Sequence, residues 1–409
     1  MKVIILSDYF DEKAEAYLKG FCKSNYNKSG LFYQRNLFSG FVKVVGEENV
    51  KMFCCPTCGT FPNETKLFWS PEFKSDKESI EYIGFINILY LRNIFRYIGL
   101  KRHLRRYLKT ISKEEQVIVL TIQMHHPFMK AFRFIKKQFP NAKSCINIWD
   151  YPNFVDFRNN NALKKALRNF NYNRTMRLLK DYDLCFYLSK GMEELNIYKN
   201  QYIVHEGILS NDQLQNYDRI KRVIRKDDKF HVAFTGRLTR AEGVLDLISA
   251  ICEIGDDSIV LEIAGGGDVE TDVVKASQEN SNIVFHGLLT REKVVEMQCR
   301  ADLFVLPRLP EDYTKYSFPS KLCEYIVAKK PILTRPLPCF DSYLLSRFFI
   351  FSDENNDYLT MHLKNAIKEA RNYKGTIDYD EFIKKNMNDN IANEIICKLL
   401  KQHNAKTHI

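Results

Sequence analysis

Phe318-Pro319-Ser320-Lys321-Leu322-Cys323-Glu324-Tyr325, with Pro331-Ile332-Leu333 after it, is the stretch on which the fold turns. It places a lysine and a carboxylate at the opening of a helix between two apolar strands. The strand before it reads Asp302-Leu303-Phe304-Val305-Leu306 and ends at Pro307, and the strand after it occupies residues 331–334. The segment is therefore a β-loop-α-β unit. In such a unit the loop at the carboxyl end of the strand and the first helical turn offer backbone N–H groups to an anion.

The same alternation recurs on either side. Strand-like runs fall at residues 231–235, 259–264, 282–286, 302–306 and 331–333 in the second half, and at 3–6, 117–122, 144–148, 184–188 and 201–204 in the first. Near-continuous apolar runs mark parallel strands covered on both faces. A chain of 409 residues exceeds one ordinary core and suits two domains of about 200 residues each. The expected fold is α/β, with two doubly wound, Rossmann-like domains at residues 1–205 and 206–409. Asn, Asp, Gln and Lys dominate the join, residues 205–228. A final helical segment, about residues 378–402, is counted with the second domain, although the sequence alone leaves it able to cross to either.

The net charge of +11 is unevenly held: residues 1–210 carry 33 Lys and Arg against 20 Asp and Glu, and residues 211–409 carry 28 against 30. A basic first half fits a nucleic acid, an anionic membrane or a phosphorylated acceptor. Within it, residues 100–111 form a basic amphipathic helix. At 100° per residue Leu100, Leu104, Tyr107, Leu108 and Ile111 cluster on one side, with Lys101, Arg102, Arg105, Arg106 and Lys109 opposite. That face is simply solvated, rests on anionic lipid or a lipid-linked phosphate, or meets a nucleic acid. A hydrophobic content of 45% excludes a disordered chain, and no window of about 20 apolar residues reads as a membrane span. Eleven cysteines without an even framework, and a Met1 that leads directly into a strand, point to a reducing cytosol.

Three more strand ends in the second half carry chemistry-bearing residues. His231-Val232-Ala233-Phe234-Thr235 runs into Gly236-Arg237-Leu238-Thr239-Arg240-Ala241-Glu242-Gly243, where Gly236 lets backbone approach a ligand and Arg237 supplies a fork of donors. Ala264-Gly265-Gly266-Gly267-Asp268 and Phe285-His286-Gly287-Leu288 follow the next two strands. Each alone is as well read as an ordinary turn. All four lie at one carboxyl edge of a parallel sheet, and their convergence is the signal.

In these motifs, residues 229–340 resemble the donor domain of glycosyltransferase family 4, the retaining GT-B enzymes. The matching text is Phe234-Thr235-Gly236-Arg237-Leu238, Ile263-Ala264-Gly265-Gly266-Gly267, Val284-Phe285-His286-Gly287, residues 301–307, and Phe318-Pro319-Ser320-Lys321-Leu322-Cys323-Glu324-Tyr325. The resemblance implies a GT-B fold and a nucleotide-diphosphate sugar as co-substrate, with no separate cofactor and no metal. Arg237 would meet the donor diphosphate, Glu324 the ribose hydroxyls, Gly287 and Leu288 the base, and Ser320 and Lys321 the phosphates. Gly236 and Gly265 would line the same site. Two positions depart from the family: Glu242 stands where a lysine is usual, with Arg240 the candidate to replace its charge, and Tyr316 stands where a glutamate is common. The Pro-Ser-Lys-Leu-x-Glu-Tyr variant resembles enzymes of bacterial surface polysaccharides, which implies a lipid-linked glycan acceptor, no nucleic acid, and a place at the inner face of the membrane.

In the first half, Met124-His125-His126-Pro127 and Trp149-Asp150-Tyr151-Pro152 each follow a strand. His126 and Asp150 are the candidates to orient the acceptor hydroxyl or the transferred sugar, against a purely structural role. Cys54-Cys55-Pro56-Thr57-Cys58-Gly59 is half of a zinc knuckle without its second pair, and is expected to be a loop of unmetallated thiols. Two alternatives to a transferase stay open: a protein that binds a nucleotide or glycan without turnover, motivated by Glu242 and Tyr316, and a nucleotide-sugar epimerase on the same fold.

Overall fold

The computed structural model describes residues 1–23, 30–62, 65–70, 75, 77–149, 162–224, 227–351, 357–373 and 377–401. The chain divides into two compact units, Met1–Ser210 with Lys385–Ile409, and Asn211–Lys384.

The first unit contains β1 (Lys2–Ser7), β2 (Val50–Cys54), β3 (Phe68–Trp69), β4 (Ile80–Tyr82), β5 (Phe85–Ile86), β6 (Val117–Ile122), β7 (Lys143–Ile148), β8 (Leu184–Tyr187) and β9 (Gln201–Val204). Seven of these form a parallel sheet in the order β4-β2-β1-β6-β7-β8-β9, and β3 and β5 pair antiparallel. The chain reverses its direction of winding between β1 and β6, the position at which doubly wound sheets open a crevice. β6 is buried at all six positions and β1 at five of six, as strands covered on both faces must be.

The second unit contains β10 (Phe230–Arg237), β11 (Ile259–Gly266), β12 (Ile283–Phe285), β13 (Leu303–Leu306), β14 (Ile332–Thr334) and β15 (Phe349–Ile350), all parallel, in the order β12-β11-β10-β13-β14-β15. Val232, Phe234, Leu261, Ile263, Leu303 and Val305 join a buried core with Leu247 and Ile251 of the helix Val244–Ile254 and Leu359 and Leu363 of the helix Asp357–Asn372. β10 is buried from Phe230 to Thr235 and emerges only at Gly236 and Arg237. Its winding reverses between β10 and β13.

The two doubly wound sheets agree with the expected fold class, but the extents of the units differ from residues 1–205 and 206–409. The chain leaves the first unit after Ser210 and returns at Lys385. The terminal segment is two helices, Asp380–Lys385 and Asn388–Lys401. The second buries Ile391, Ala392, Ile395 and Leu399, and belongs with the first unit. It meets the helix Leu31–Val45 closely, since a Cβ on Gly40 would lie 2.2 Å from the Asn388 carbonyl oxygen. Asn388 Nδ2 donates to the Asn36 carbonyl at 3.0 Å, and backbone bonds join Leu209 to Asn386 and Asn388 at 2.8 Å each. These bonds between segments distant in sequence, invisible in an apolar pattern, fix where the terminus lies.

In the cysteine segment, residues 55–59 form the expected loop, and its first residue belongs instead to a strand. Cys54 ends β2 and pairs with β1 and β4, Cys55 N–H donates to the Ser7 carbonyl at 2.9 Å, and Cys54, Cys55 and Cys58 are all buried. Burial pushes the Cys55 thiol up to about 12.

Candidate functional site

The second unit assembles its site where β10 and β11 end. Gly236 and Gly265 are register partners there, and a Cβ on Gly265 would fall 1.8 Å from the Gly236 carbonyl oxygen. Gly265 also has φ +146°, so no other residue fits. The two strand ends thereby close together, and a ligand can approach their backbone. Arg237, next along β10, is exposed, as is Arg240 in the turn that follows. The Gly287 carbonyl accepts from Gly265 N–H at 2.9 Å, and the adjoining Leu288 is 85% exposed, an apolar side chain left for a flat partner.

The helix Ser320–Ala328 begins beside these strand ends, with Ser320 exposed at its first position. Tyr325, fully buried, holds it: the phenol oxygen accepts from Thr235 N–H at 2.9 Å, and the ring stacks on Phe304 of β13 at 4.1 Å, with planes 4° apart. The helix is thus tied to the last buried residue of β10. Lys321 and Glu324, three apart, share one side of it, as (i, i+3) spacing requires.

Glu324 is oriented by neighbours that the sequence did not single out. Gln298, completely buried in the helix Arg291–Arg300, donates through Nε2 to Glu324 Oε2 at 3.0 Å and to Thr235 Oγ1 at 3.1 Å, while its Oε1 accepts from Tyr217 O–H. Arg291 lies 3.6 Å from the other Glu324 oxygen. Only a buried glutamine in an otherwise amphipathic helix could have signalled this, and one polar residue in a helical pattern is too common to read.

Lys321 is nearly buried. Its Nζ sits 4.1 Å from the Phe234 ring centroid, 3.4 Å from where a Cβ on Gly236 would be, and 2.6 Å from Glu242 Oε2. Arg308, just past β13, brings Nε within 3.7 Å of Glu242 Oε1, and its Nη2 donates to Ser317 Oγ at 3.2 Å. Two cations thus face one carboxylate, and Glu242 Oε2, Arg308 Nε and Lys321 Nζ lack an aligned hydrogen-bond partner. Burial lowers the Lys321 pKa and the Glu242 carboxylate opposes that shift. Where the family usually has a lysine, Glu242 is flanked by Lys321 and Arg308, and Arg240 stands exposed in the same turn. Two cations, an exposed guanidinium at Arg237, a helix N-terminus and a carboxylate in that helix can hold a phosphate ester and hydrogen-bond vicinal hydroxyls.

The first unit carries a second polar cluster at its strand ends. Gln34 Nε2 donates to Asp8 Oδ1 at 2.9 Å, Ser7 Oγ bonds Gln34 Oε1, and His125 bonds Gln123 Oε1. His126 opens the helix His126–Gln138, and burial, together with Arg174, Lys130 and Arg133, lowers its pKa to about 4, so it is neutral at pH 7. Asp8, buried just past β1, was not singled out in the sequence, because it follows a hydrophobic strand with no motif around it. Asp150 lies outside the described residues. Among the described residues no group of three His, Cys, Asp or Glu side chains is placed to hold a metal ion.

The family model described as glycosyl transferases group 1 matches residues 229–347, the portion that holds the Gly236, Lys321 and Glu324 cluster. No curated protein matches the chain. Among solved structures, sucrose-phosphate synthase from Thermosynechococcus elongatus is similar over 100% of this chain and 98% of its own, at 13% identity and a TM-score of 0.59. The lipopolysaccharide outer core galactosyltransferase WaaB is similar over 98% and 100%, at 13% identity and a TM-score of 0.60. Anabaena HepE in complex with UDP is similar over 100% of both chains, at 11% identity and a TM-score of 0.52. At these identities the likeness is one of fold, the two Rossmann-like domains of the GT-B architecture.

Proposed function

We propose that this chain, a hexosyltransferase-type enzyme with a glycosyl transferases group 1 domain at residues 229–347, moves a sugar from a nucleotide-diphosphate donor to a lipid-linked glycan, with retention, in bacterial surface polysaccharide synthesis. The observation that carries this reading is the joint placement of Arg237, Lys321 and the amino end of the helix Ser320–Ala328 beside the Gly236–Gly265 strand ends, with Glu324 on the same helix.

As the glycosidic bond breaks, the nucleoside diphosphate gains negative charge. Arg237 and Lys321 would stabilise that charge electrostatically, which requires no metal or further cofactor. Glu324, held by Gln298, would accept hydrogen bonds from the ribose, and Leu288 with Gly287 would flank the base. Gly265 and Arg240 complete the rim. In the first unit a neutral His126, with Asp150, would orient the acceptor hydroxyl or the transferred sugar.

The basic residues 1–210 support a cytoplasmic enzyme resting on the anionic inner face of the membrane, where a lipid-linked acceptor is found. No described helix is long and apolar enough to cross a membrane.

The Glu242 carboxylate inside the cationic cluster favours one second reading, a protein that binds a nucleotide without turning it over. Incubating the purified chain with a panel of nucleotide sugars, with and without lipid-linked acceptors, separates the readings. Acceptor-dependent transfer supports the proposal; binding without turnover across the panel supports the second reading; release of an altered free sugar nucleotide indicates an epimerase.

A further inference from the structure

The helix Arg92–Leu108 has two sides, and the structure uses both. Its inner side buries Arg96, Leu100, Leu104 and Leu108, so the apolar stripe expected at residues 100–111 is spent on the core of the first unit. Yet five large apolar side chains remain outside: Leu89 is 50% exposed, Tyr90 79%, Leu91 44%, Ile94 53% and Ile98 54%. At 100° per residue, Leu91, Ile94 and Ile98 share an arc of about 100° with Lys101, Arg102, Arg105 and Lys109, opposite the buried stripe. The outer face is thus apolar along its first two turns and cationic along the rest.

This ridge is rigidly presented. Arg92 donates to the Cys58 carbonyl at 2.8 Å, and Arg96 donates to the Pro56 carbonyl while its guanidinium lies 4.7 Å from the Phe85 ring centroid. A Cβ on Gly99 would come within 2.7 Å of the Gly84 carbonyl oxygen, so the helix lies tight against the chain between β4 and β5. A side chain held on a pinned helix cannot fold back to hide, and an exposed apolar patch of this kind marks an interaction surface.

We propose that this face docks on an anionic lipid bilayer, with Leu89, Tyr90, Leu91, Ile94 and Ile98 set among the headgroups and Lys101, Arg102, Arg105 and Arg106 lying over them. The inference rests on the membrane-associated reading above and names the surface that makes the contact. Charge selects the occupant: residues 91–110 contain seven Lys and Arg and no Asp or Glu. A polyanionic surface with an apolar layer just beneath it satisfies both halves of the ridge, whereas a nucleic acid backbone leaves the apolar half in water.

The test is flotation of the full chain with phosphatidylglycerol–phosphatidylcholine vesicles and with phosphatidylcholine vesicles alone. Wild-type protein is expected to float with the anionic vesicles only. The triple variant Tyr90→Ser/Ile94→Ser/Ile98→Ser should lose about tenfold in vesicle affinity, from removal of buried apolar area. Arg102→Gln/Arg105→Gln/Arg106→Gln should lose about a hundredfold at low salt, at roughly 1 kcal/mol per charge. The single variant Tyr90→Trp should shift its fluorescence to the blue on adding anionic vesicles. All these positions are exposed, and unchanged donor binding by calorimetry controls for folding. Wild type that floats with neither vesicle removes the membrane reading itself. Wild type that floats, with the apolar variant unaltered and the emission of the Tyr90→Trp variant unmoved, overturns the ridge while leaving a purely electrostatic contact. Tighter binding to RNA than to vesicles also overturns it.

Discussion

Lys321 Nζ stands 2.6 Å from Glu242 Oε2, with Arg308 Nε 3.7 Å from the opposite oxygen of the same carboxylate. Glu242 is therefore the counter-ion of Lys321 and Arg308, and a diphosphate that meets Lys321 must compete with it. Replacing Glu242 with Gln keeps the shape and removes the competitor, so nucleoside diphosphate affinity at pH 7 should rise about tenfold, equivalent to about 1.4 kcal/mol. Lys321→Met should lower it by at least as much. The pH dependence carries the sign. Burial already lowers the Lys321 pKa and Glu242 resists that shift. Without Glu242 the ammonium loses its proton at a lower pH, so binding by Glu242→Gln should fall off earlier on the alkaline side than binding by wild type. Titration calorimetry at several pH values reads both effects, and identical profiles for the two proteins would refute the counter-ion role.

The same measurement tests the ribose contact. Glu324→Ala removes the carboxylate, and nucleotide binding should weaken about ten- to a hundredfold, the loss of one or two charge-assisted hydrogen bonds. Gln298→Leu is the sharper variant because Gln298 is completely buried and spends its hydrogen bonds on Glu324, Thr235 and Tyr217. Its loss should weaken nucleotide binding by a smaller factor and destabilise the unit by about 1–3 kcal/mol, since Tyr217 and Thr235 each lose a partner in the interior. A Gln298→Leu protein with full nucleotide affinity would show that Glu324 needs no orienting partner.

How much of this was visible beforehand depends on range. Ten of the strands were legible because buried parallel strands are short apolar runs, and the β10 and β13 ends were legible because glycine, arginine and Pro-Ser-Lys each carry a local backbone or charge meaning. β2 was not: Lys51 interrupts it, and its end, Cys54-Cys55, reads as the start of a metal loop. β3, β5 and β15, at two residues each, are too short to show a period, and Glu81 interrupts β4. Arg308 and Gln298 join the candidate site only through contacts that link distant segments, such as Gln298 to Thr235 across 63 positions. Helix 100–111 was read from its charge pattern with the correct apolar side, but its start lies at Arg92, and the exposed Ile94 and Ile98 have no counterpart in that wheel.

The Gly265 position makes a severe and specific demand. A methyl there would overlap the Gly236 carbonyl at 1.8 Å and force a side chain into φ +146°. Gly265→Ala should therefore cost more than about 3 kcal/mol, above the usual range for a single substitution, and should abolish nucleotide binding in whatever fraction folds. Gly287→Ala, with φ +65° but no atom within 4 Å of the added methyl, should cost only about 1 kcal/mol. Thermal denaturation of the two variants compares backbone strain alone with strain plus overlap, and equal losses would refute the close strand approach.

Glu262, buried in β11, gathers His231, His286 and Arg300 around one carboxylate. Oε1 lies 2.6 Å from His231 Nδ1 and 3.0 Å from Arg300 Nε, and Oε2 lies 2.7 Å from Arg300 Nη2 and 3.0 Å from His286 Nε2. Burial alone would raise the Glu262 pKa, but the three partners together hold its carboxyl well below the usual range. The hydrogen bond to Glu262 raises the His231 pKa, against burial, with Asp227 Oδ1 adding a contact at 2.8 Å. The two shifts act in different pH windows. A depressed Glu262 contributes stability that is complete above the unfolded value of about 4.3 and is lost only in strong acid. A raised His231 contributes stability that is complete below about 6.5 and is lost as pH climbs through its folded pKa. The second unit should therefore be most stable in mildly acidic solution and weaken above neutrality. His231→Gln should flatten that alkaline decline, while Glu262→Gln, which strands Arg300 without its carboxylate, should cost about 3 kcal/mol or more at any pH in that window. Urea denaturation of wild type and both variants across this range supplies the check. Wild-type stability that stays level from mild acid to mild alkali would mean that His231 does not carry its proton in the fold.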